Sequence, residues 1–299
     1  MTEATPHSPM IFDRALMRRR RRRAAASGPA TFLLDRVAED LAERLAAVLR
    51  RFDLVLDLGT PGEAVRSALS RLGSIGTVIA ADAIPRASPA VAADEETLPF
   101  GDGALDLVVS ALALHHVNDL PGALIQIRRA LKPDGLFVAA LLGGETLTEL
   151  RQSFAVAESD IEGGASPRVA PFADLRELGA LLQRAGFALP VTDVDRVCVR
   201  YDSVFGLMHD LRRMGATNAL NARRRTPLKR ATLLRMAEIY ARDFADDDGR
   251  VRATFEIVWL SGWTPHPSQQ QPLKPGTAKA RLADALGTRE ISAGDKAGS

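Results

Sequence analysis

The chain has 299 residues, room for one large domain or two modest ones, and its 46% apolar and 25% charged residues are the balance of a globular protein. Its 39 basic residues against 37 acidic ones leave a net charge of +2, too small by itself to imply nucleic-acid binding. A single cysteine, Cys198, excludes an internal disulfide framework and a cysteine-based zinc site, and no apolar run reaches the ~20 residues of a membrane-spanning helix. Cys198 itself reads as a small apolar side chain on a buried strand. The N-terminus lacks the apolar core of a signal peptide. It is Arg-rich, but Glu3 and Asp13 interrupt it and few residues precede Ile11 and Phe12, so a cytoplasmic protein is expected.

Elements follow in a regular order. Residues 1–31 read as a basic N-terminal arm. Phe32 to Leu49 carries Leu33, Val37, Leu41, Leu45 and Val48 near helical spacing. LVLDLG (54–59) reads as a buried strand stopping at a tight turn, and Ala64 to Leu72 as a helix. Thr77 to Ala81 is a second strand ending at Asp82, and Ala90 to Ala93 a third ending at Asp94. LDLVVSAL (105–112) is the fourth, and a helix from Leu120 to Leu131 closes at the turn KPDG (132–135) before a fifth strand, Leu136 to Leu142. Beyond it come a helix from Thr146 to Glu158, the loop EGGASPRVAPF (162–172), a helix from Asp174 to Ala185, and an alternating strand from Val191 to Arg200. Residues 202–250 are mostly helical with a basic middle, NARRRTPLKR (221–230), and a last strand runs from Ala253 to Gly262. The tail, 264–299, is rich in Pro, Gln and Gly and reads as flexible.

Strands alternating with helices at this spacing predict an α/β fold with a mostly parallel sheet covered on both faces. The domain then spans 32–263, and the 202–250 block, lying between neighbouring strands, becomes a helical lid over the strand ends. Ligands of such sheets bind beyond the carboxyl ends of the strands.

Three strand ends carry acids. Asp82 is placed to accept hydrogen bonds from both ribose hydroxyls of a nucleoside, and Asp94 and Glu95 to meet an adenine amino group. The turn Asp57, Gly59 and Thr60 brings backbone close to the ligand, and Ser110 lies near it through its backbone. Taken singly, each Asp is equally a helix cap or a turn residue. His115 and His116, just after the fourth strand, are the candidates for orienting a substrate or acting as a general base. His116 with Asp119 could supply two ligands of an iron site, but the remaining histidines stand at no recognisable metal spacing, and no metal site is expected. Arg18, Arg19, Arg20, Arg21, Arg22 and Arg23 read either as a solvated basic helix or as an arm that recruits an acidic partner surface. No aromatic residues are interleaved with them, which speaks against nucleic acid. Arg151 and Arg168 are open between substrate contact and ion pairing.

LVLDLG (54–59), VIAAD (78–82), ADEETLPF (93–100), LDLVVSALALHHVNDL (105–120) and LKPDG (131–135) resemble, in order and spacing, the motifs of class I S-adenosylmethionine (SAM)-dependent methyltransferases. The resemblance implies a Rossmann-like seven-stranded sheet and SAM as cofactor. The first motif departs from the pattern: Pro61 and Glu63 stand where further glycines are expected. Proline fixes φ, and Glu63 adds charge near the cofactor's carboxylate end.

FDRALMRRRRRRAA (12–25), GGETLTELRQSF (143–154), EGGASPRVAPFADLRELGALLQRAGF (162–187), LMHDLRRMGATNAL (207–220), ATFEIVWLSGW (253–263) and HPSQ (266–269) resemble the complex I assembly factor 5 family over roughly residues 11–287. That resemblance implies a protein substrate, an iron–sulfur subunit of respiratory complex I hydroxylated on arginine, and, without a long presequence, a bacterial relative, cytoplasmic or peripheral to the inner membrane through its partner. LRRMGATNAL (211–220) also resembles the malonyl-acyl-carrier-protein O-methyltransferase family of biotin synthesis. A third reading is a non-catalytic assembly chaperone on a methyltransferase fold.

Overall fold

The computed structural model describes residues 10–84, 89–172, 175–270 and 287–288. His7, the expected helix start at Asp174 and most of the expected C-terminal tail lie outside them. By contact the chain divides into Met1–Pro265 and His266–Ser299. In the second unit, His266 and Ser268 pair side chain to side chain at 2.7 Å, closing a short turn over the HPSQ stretch.

The first unit holds one seven-stranded sheet in the order β3-β2-β1-β4-β5-β7-β6. Strands β1 (Phe52–Leu58), β2 (Ile75–Asp82), β3 (Ala90–Ala92), β4 (Leu105–Ala111) and β5 (Leu131–Leu142) pair in parallel. Strands β6 (Ala188–Tyr201) and β7 (Val251–Trp263) join them antiparallel, β7 lying between β5 and β6. Val55, Leu56, Leu107, Val108 and Val109 are fully buried, as runs covered on both faces must be. The expected KPDG turn is a bulge inside β5 instead. Asp134 takes φ +63° and pairing with β4 jumps from Leu131 to Leu136, so the extra residues bend the strand without ending it.

Helices cover both faces. One face is packed by α2 (Phe32–Ala46), α3 (Ala64–Leu69), α5 (Thr148–Glu162), α7 (Val204–Arg213) and α8 (Arg230–Phe244). The other is packed by α4 (Leu120–Ala130) and α6 (Leu175–Arg184). In α2 the buried stripe Leu33, Val37, Leu41 and Leu45 repeats at helical spacing. Helices α7 and α8 form the expected insertion, entering at Tyr201 and returning at Val251, which are register partners across β6 and β7.

Two expectations need correction. Cys198 is exposed, because β6 is the edge strand and its side chains alternate between solvent and partial cover. The basic segment 14–26 is helix α1 (Arg14–Ala26), part of the first unit, with Met17 and Ala24 buried beneath it. Just before it, Phe12 is buried and forms an isolated bridge with Leu220 of the insertion.

Candidate functional site

Strand β1 ends in a turn built for close approach. Gly59 takes φ +70°, and its N–H donates to Ala81 at 2.7 Å, locking the turn to the end of β2. Two hydroxyls tie the same turn to β4. Ser110 Oγ donates to Leu58 O at 2.7 Å, and Thr60 Oγ1 accepts from Ala111 N at 3.0 Å.

Asp57 sits inside this knot, 2% exposed, with Oδ1 lacking any hydrogen-bond partner. Burial pushes its carboxyl up to about 7, the Asp82 charge adds to the rise, and a hydrogen bond with Thr60 and the charge of Arg66 oppose it. An orphaned buried carboxylate oxygen is costly unless a donor reaches it. A ligand carrying an ammonium group meets that need, and Asp82 stands at the end of the adjacent strand. These residues fit the amino-acid tail and ribose of a SAM-type nucleoside.

Asp94 and Glu95 are placed differently from the expectation. Arg14 binds Glu95 and reaches Asp94 at 2.7 Å and Glu96 at 3.0 Å, Arg18 pairs with Asp94, and Arg21 stands 4.0 Å from Glu95. The side chains of Arg14 and Glu95 are only 9% and 5% exposed, so a low-dielectric setting strengthens their attraction. The charge of Glu95 and its neighbours holds the Arg14 guanidinium above its ordinary value despite burial. Part of the arginine run therefore finds its acidic surface in its own chain. Arg20 donates to the carbonyls of Thr217 and Asn218, while Arg19, Arg22 and Arg23 face solvent. The run of six arginines hides a stripe that includes Arg14. Arg14, Arg18 and Arg21 recur at i, i+4 and i+7, one face of a helix.

Beside the turn lies a cavity of about 320 Å³, lined by residues following β1, β4 and β5, by α1 and by the insertion. His115 and His116 form part of its wall, with ring centroids 4.1 Å apart. Phe12 meets His116 edge-on at 5.4 Å, and Phe172 meets His115 edge-on at 5.6 Å. His115 Nδ1 accepts from Leu142 N at 3.4 Å, which places its proton on Nε2. Desolvation, then its His116 neighbour and Arg21, lower the His115 pKa well below the usual value. Desolvation, then Arg21 and Arg14, push His116 down to about 3. Both rings are neutral at pH 7, so they serve as hydrogen-bonding groups. Asp119 accepts from Gly122 N at 2.9 Å as the cap of α4, so its carboxylate is committed away from the pairing with His116 weighed above. Among the described residues no group of three or more His, Cys, Asp and Glu side chains has a metal-holding arrangement.

Arg168 is an ion-pair residue that also lines the cavity. It binds Glu158, which is fully buried and accepts from Ser166 N at 2.6 Å, so this carboxylate pins the 162–172 loop. Arg151 donates to the carbonyls of Gly144, at 2.8 Å, and Thr146.

Residues 56–139 match the methyltransferase domain family. The arginine-hydroxylase NDUFAF5, mitochondrial, of Danio rerio is 40% identical over 92% of this chain and 89% of its own length. The chain belongs to the NDUFAF5 family. The malonyl-[acyl-carrier protein] O-methyltransferase of Laribacter hongkongensis is 41% identical but covers only 64% of this chain and 62% of its own. The fold is that of the YcgJ protein of Bacillus subtilis, with a TM-score of 0.52 and 17% identity over 77% of this chain and 99% of that one. NDUFAF5 membership corrects the expected bacterial, cytoplasmic placement, because the relatives that match nearly end to end are mitochondrial proteins. No helix among the described residues is long and apolar enough to cross a membrane.

Proposed function

We propose that this member of the NDUFAF5 family hydroxylates an arginine of a protein substrate, an iron–sulfur subunit of respiratory complex I, during assembly of that complex. The observation that carries this reading is the near end-to-end match to an arginine hydroxylase, which covers 92% of this chain against residues 56–139 for the methyltransferase domain alone.

Asp57 and Asp82 hold the nucleoside, with Gly59 and Thr60 shaping the turn, and Asp94 and Glu95 act through α1, which they clamp over the adjoining loop. Hydroxylation puts one oxygen atom on the arginine side chain and draws on molecular oxygen and a two-electron donor as co-reactants; bound SAM would supply an electrophilic methyl on sulfur, the chemistry of the methyl-transfer reading. His115, donating from Nε2, and His116 orient the group that reacts. Pro61, one of the two departures from the glycine pattern, lines the cavity, and Glu63, the other, does not. The outward arginines Arg19, Arg22 and Arg23 offer the partner a basic surface.

The match to a malonyl-[acyl-carrier protein] O-methyltransferase over 191 residues supports a second reading, methyl transfer to a carrier-protein thioester. Co-expression with a complex I iron–sulfur subunit, followed by peptide mass spectrometry, separates the two. An arginine peptide heavier by one oxygen atom, absent with Asp57→Ala/Asp82→Ala, supports hydroxylation. Label passing from SAM to malonyl carrier protein with no oxidised arginine overturns it. Complex I assembly retained with neither modification points to the chaperone reading.

A further inference from the structure

A guanidinium is best recognised by a carboxylate, and among the described residues none lines the cavity beside the histidine pair. Two carboxylates stand behind its wall, and each faces an arginine that does line it. Glu158 is gripped by both Nε and Nη2 of Arg168 and also secures the 162–172 loop through Ser166. Glu95 is held through Oε2 by Arg14, and its Oε1 meets Arg21 at 4.0 Å. That contact is the longest of the five ion pairs joining α1 to Asp94, Glu95 and Glu96. Attraction falls with distance, so here one guanidinium can replace another at least loss.

Arg21 also belongs to the neighbourhood of the histidines. Its side chain is 10% exposed, and its charge is felt at both imidazoles, adding to desolvation, the larger effect. The cavity therefore already holds a guanidinium beside the histidine pair, supplied by the chain itself. His116 Nδ1 is buried without a hydrogen-bond partner. With the ring proton on Nε2, that nitrogen would accept from a guanidinium N–H.

The backbone beneath Arg21 is fixed. Its Cα lies 3.0 Å from the point a Cβ would occupy on Gly215, and Arg20 donates to Thr217 O at 2.9 Å. Arg14 and Arg18 hold the same helix to the acids after β3. Exchange thus needs only the long, flexible side chain of Arg21 to swing aside, with α1 still docked.

We infer that Glu95 is the carboxylate that receives the substrate guanidinium, and that Arg21 keeps its place in the free protein. This rests on the arginine reading and deepens it: Glu95 becomes a residue that determines specificity, and Arg21 a stand-in that the substrate displaces. A lysine offers a point charge without the planar fork, and a citrulline the shape without the charge.

The test uses the full chain and Nα-acetyl-arginine methylamide as probe, read by calorimetry, with the lysine and citrulline counterparts as comparisons. Arg21→Ala is expected to bind the arginine probe about tenfold tighter than wild type, the gain when a site occupied in cis about nine-tenths of the time is freed. The citrulline and lysine probes gain less. In the Arg14→Met/Glu95→Leu background, where α1 keeps an apolar contact in place of the ion pair, Arg21→Ala brings no gain. Circular dichroism confirms that each variant is folded. No binding to Arg21→Ala, an equal gain for citrulline, or a gain that survives without Glu95 overturns the inference. Oxidised arginine in the co-expression assay with no gain from Arg21→Ala overturns this inference alone and leaves hydroxylation standing. A Glu95-dependent gain without oxidised arginine does the reverse.

Discussion

Glu95 Oε1 lies 2.7 Å from the point a Cβ would occupy on Gly59, so the turn after β1 and the loop after β3 are in contact through a missing side chain. Arg14 holds Glu95 in that position from above. Gly59→Ala therefore meets two penalties, the steric clash and a left-handed φ of +70°. The φ alone costs about 1–2 kcal/mol. Urea unfolding of Gly59→Ala is expected to show a larger loss than that. Because Glu95→Ala also strands Arg14, the comparison is made within that background: Gly59→Ala is expected to cost less there, down to the φ term alone, and an unchanged cost would show that Glu95 is not the obstacle.

The Arg14–Glu95 pair is buried on both sides, and removing one member leaves the other charge stranded. Arg14→Gln is expected to destabilise by about 3–5 kcal/mol, whereas Arg14→Met with Glu95→Leu stays within about 1–2 kcal/mol of wild type. A single variant as stable as wild type would show that α1 does not clamp the loop.

Asp57 imposes a pH dependence whose sign follows from its raised value. Below about 4 both folded and unfolded chains hold the proton. Between there and about 7 only the folded chain does, so stability falls as pH rises through that window. Asp57→Asn removes this slope, and above pH 7 it gains an amount on the order of 4 kcal/mol at most. An ammonium-bearing ligand at Oδ1 favours the ionised form, so SAM affinity rises with pH until about 7 and then levels off. Calorimetry in buffers of different ionisation enthalpy checks the accompanying proton release.

Arg168→Ala strands Glu158 behind the cavity wall and frees the 162–172 loop. Faster hydrogen exchange at Ser166 to Phe172, with β1 and β4 unchanged, is expected. Arg168→Lys restores charge but not the two-nitrogen grip and falls between.

The sheet was readable because every parallel strand but β4 is an apolar run closely followed by an acid or a glycine, and those endings also mark Asp57 and Asp82. What α1 does was not readable. Six adjacent arginines interrupt the apolar pattern, and the two apolar side chains that α1 buries, Met17 and Ala24, stand seven residues apart, too sparse to announce a packed helix, while the acids that balance the arginines lie far along the chain at Asp94 and Glu95. The KPDG turn misled for a similar reason: local chemistry demanded a bend, and β4 and β7 supplied pairing on both sides that turned it into a bulge. Residue type alone favours burial for Cys198, and its exposure follows from an edge position that only strand order reveals.

Tyr201 and Val251 face each other across β6 and β7, so the segment between them leaves the sheet and rejoins it at the same point. A segment whose ends already meet can be lengthened, shortened or exchanged without shifting the register of either strand. It contributes Met208, Leu211 and Leu220 to the cavity wall, while Val204, Met236 and Tyr240 root it in the core. Part of the cavity wall is thereby carried by an exchangeable segment, while the turn after β1 lies on other strands and is built independently of it.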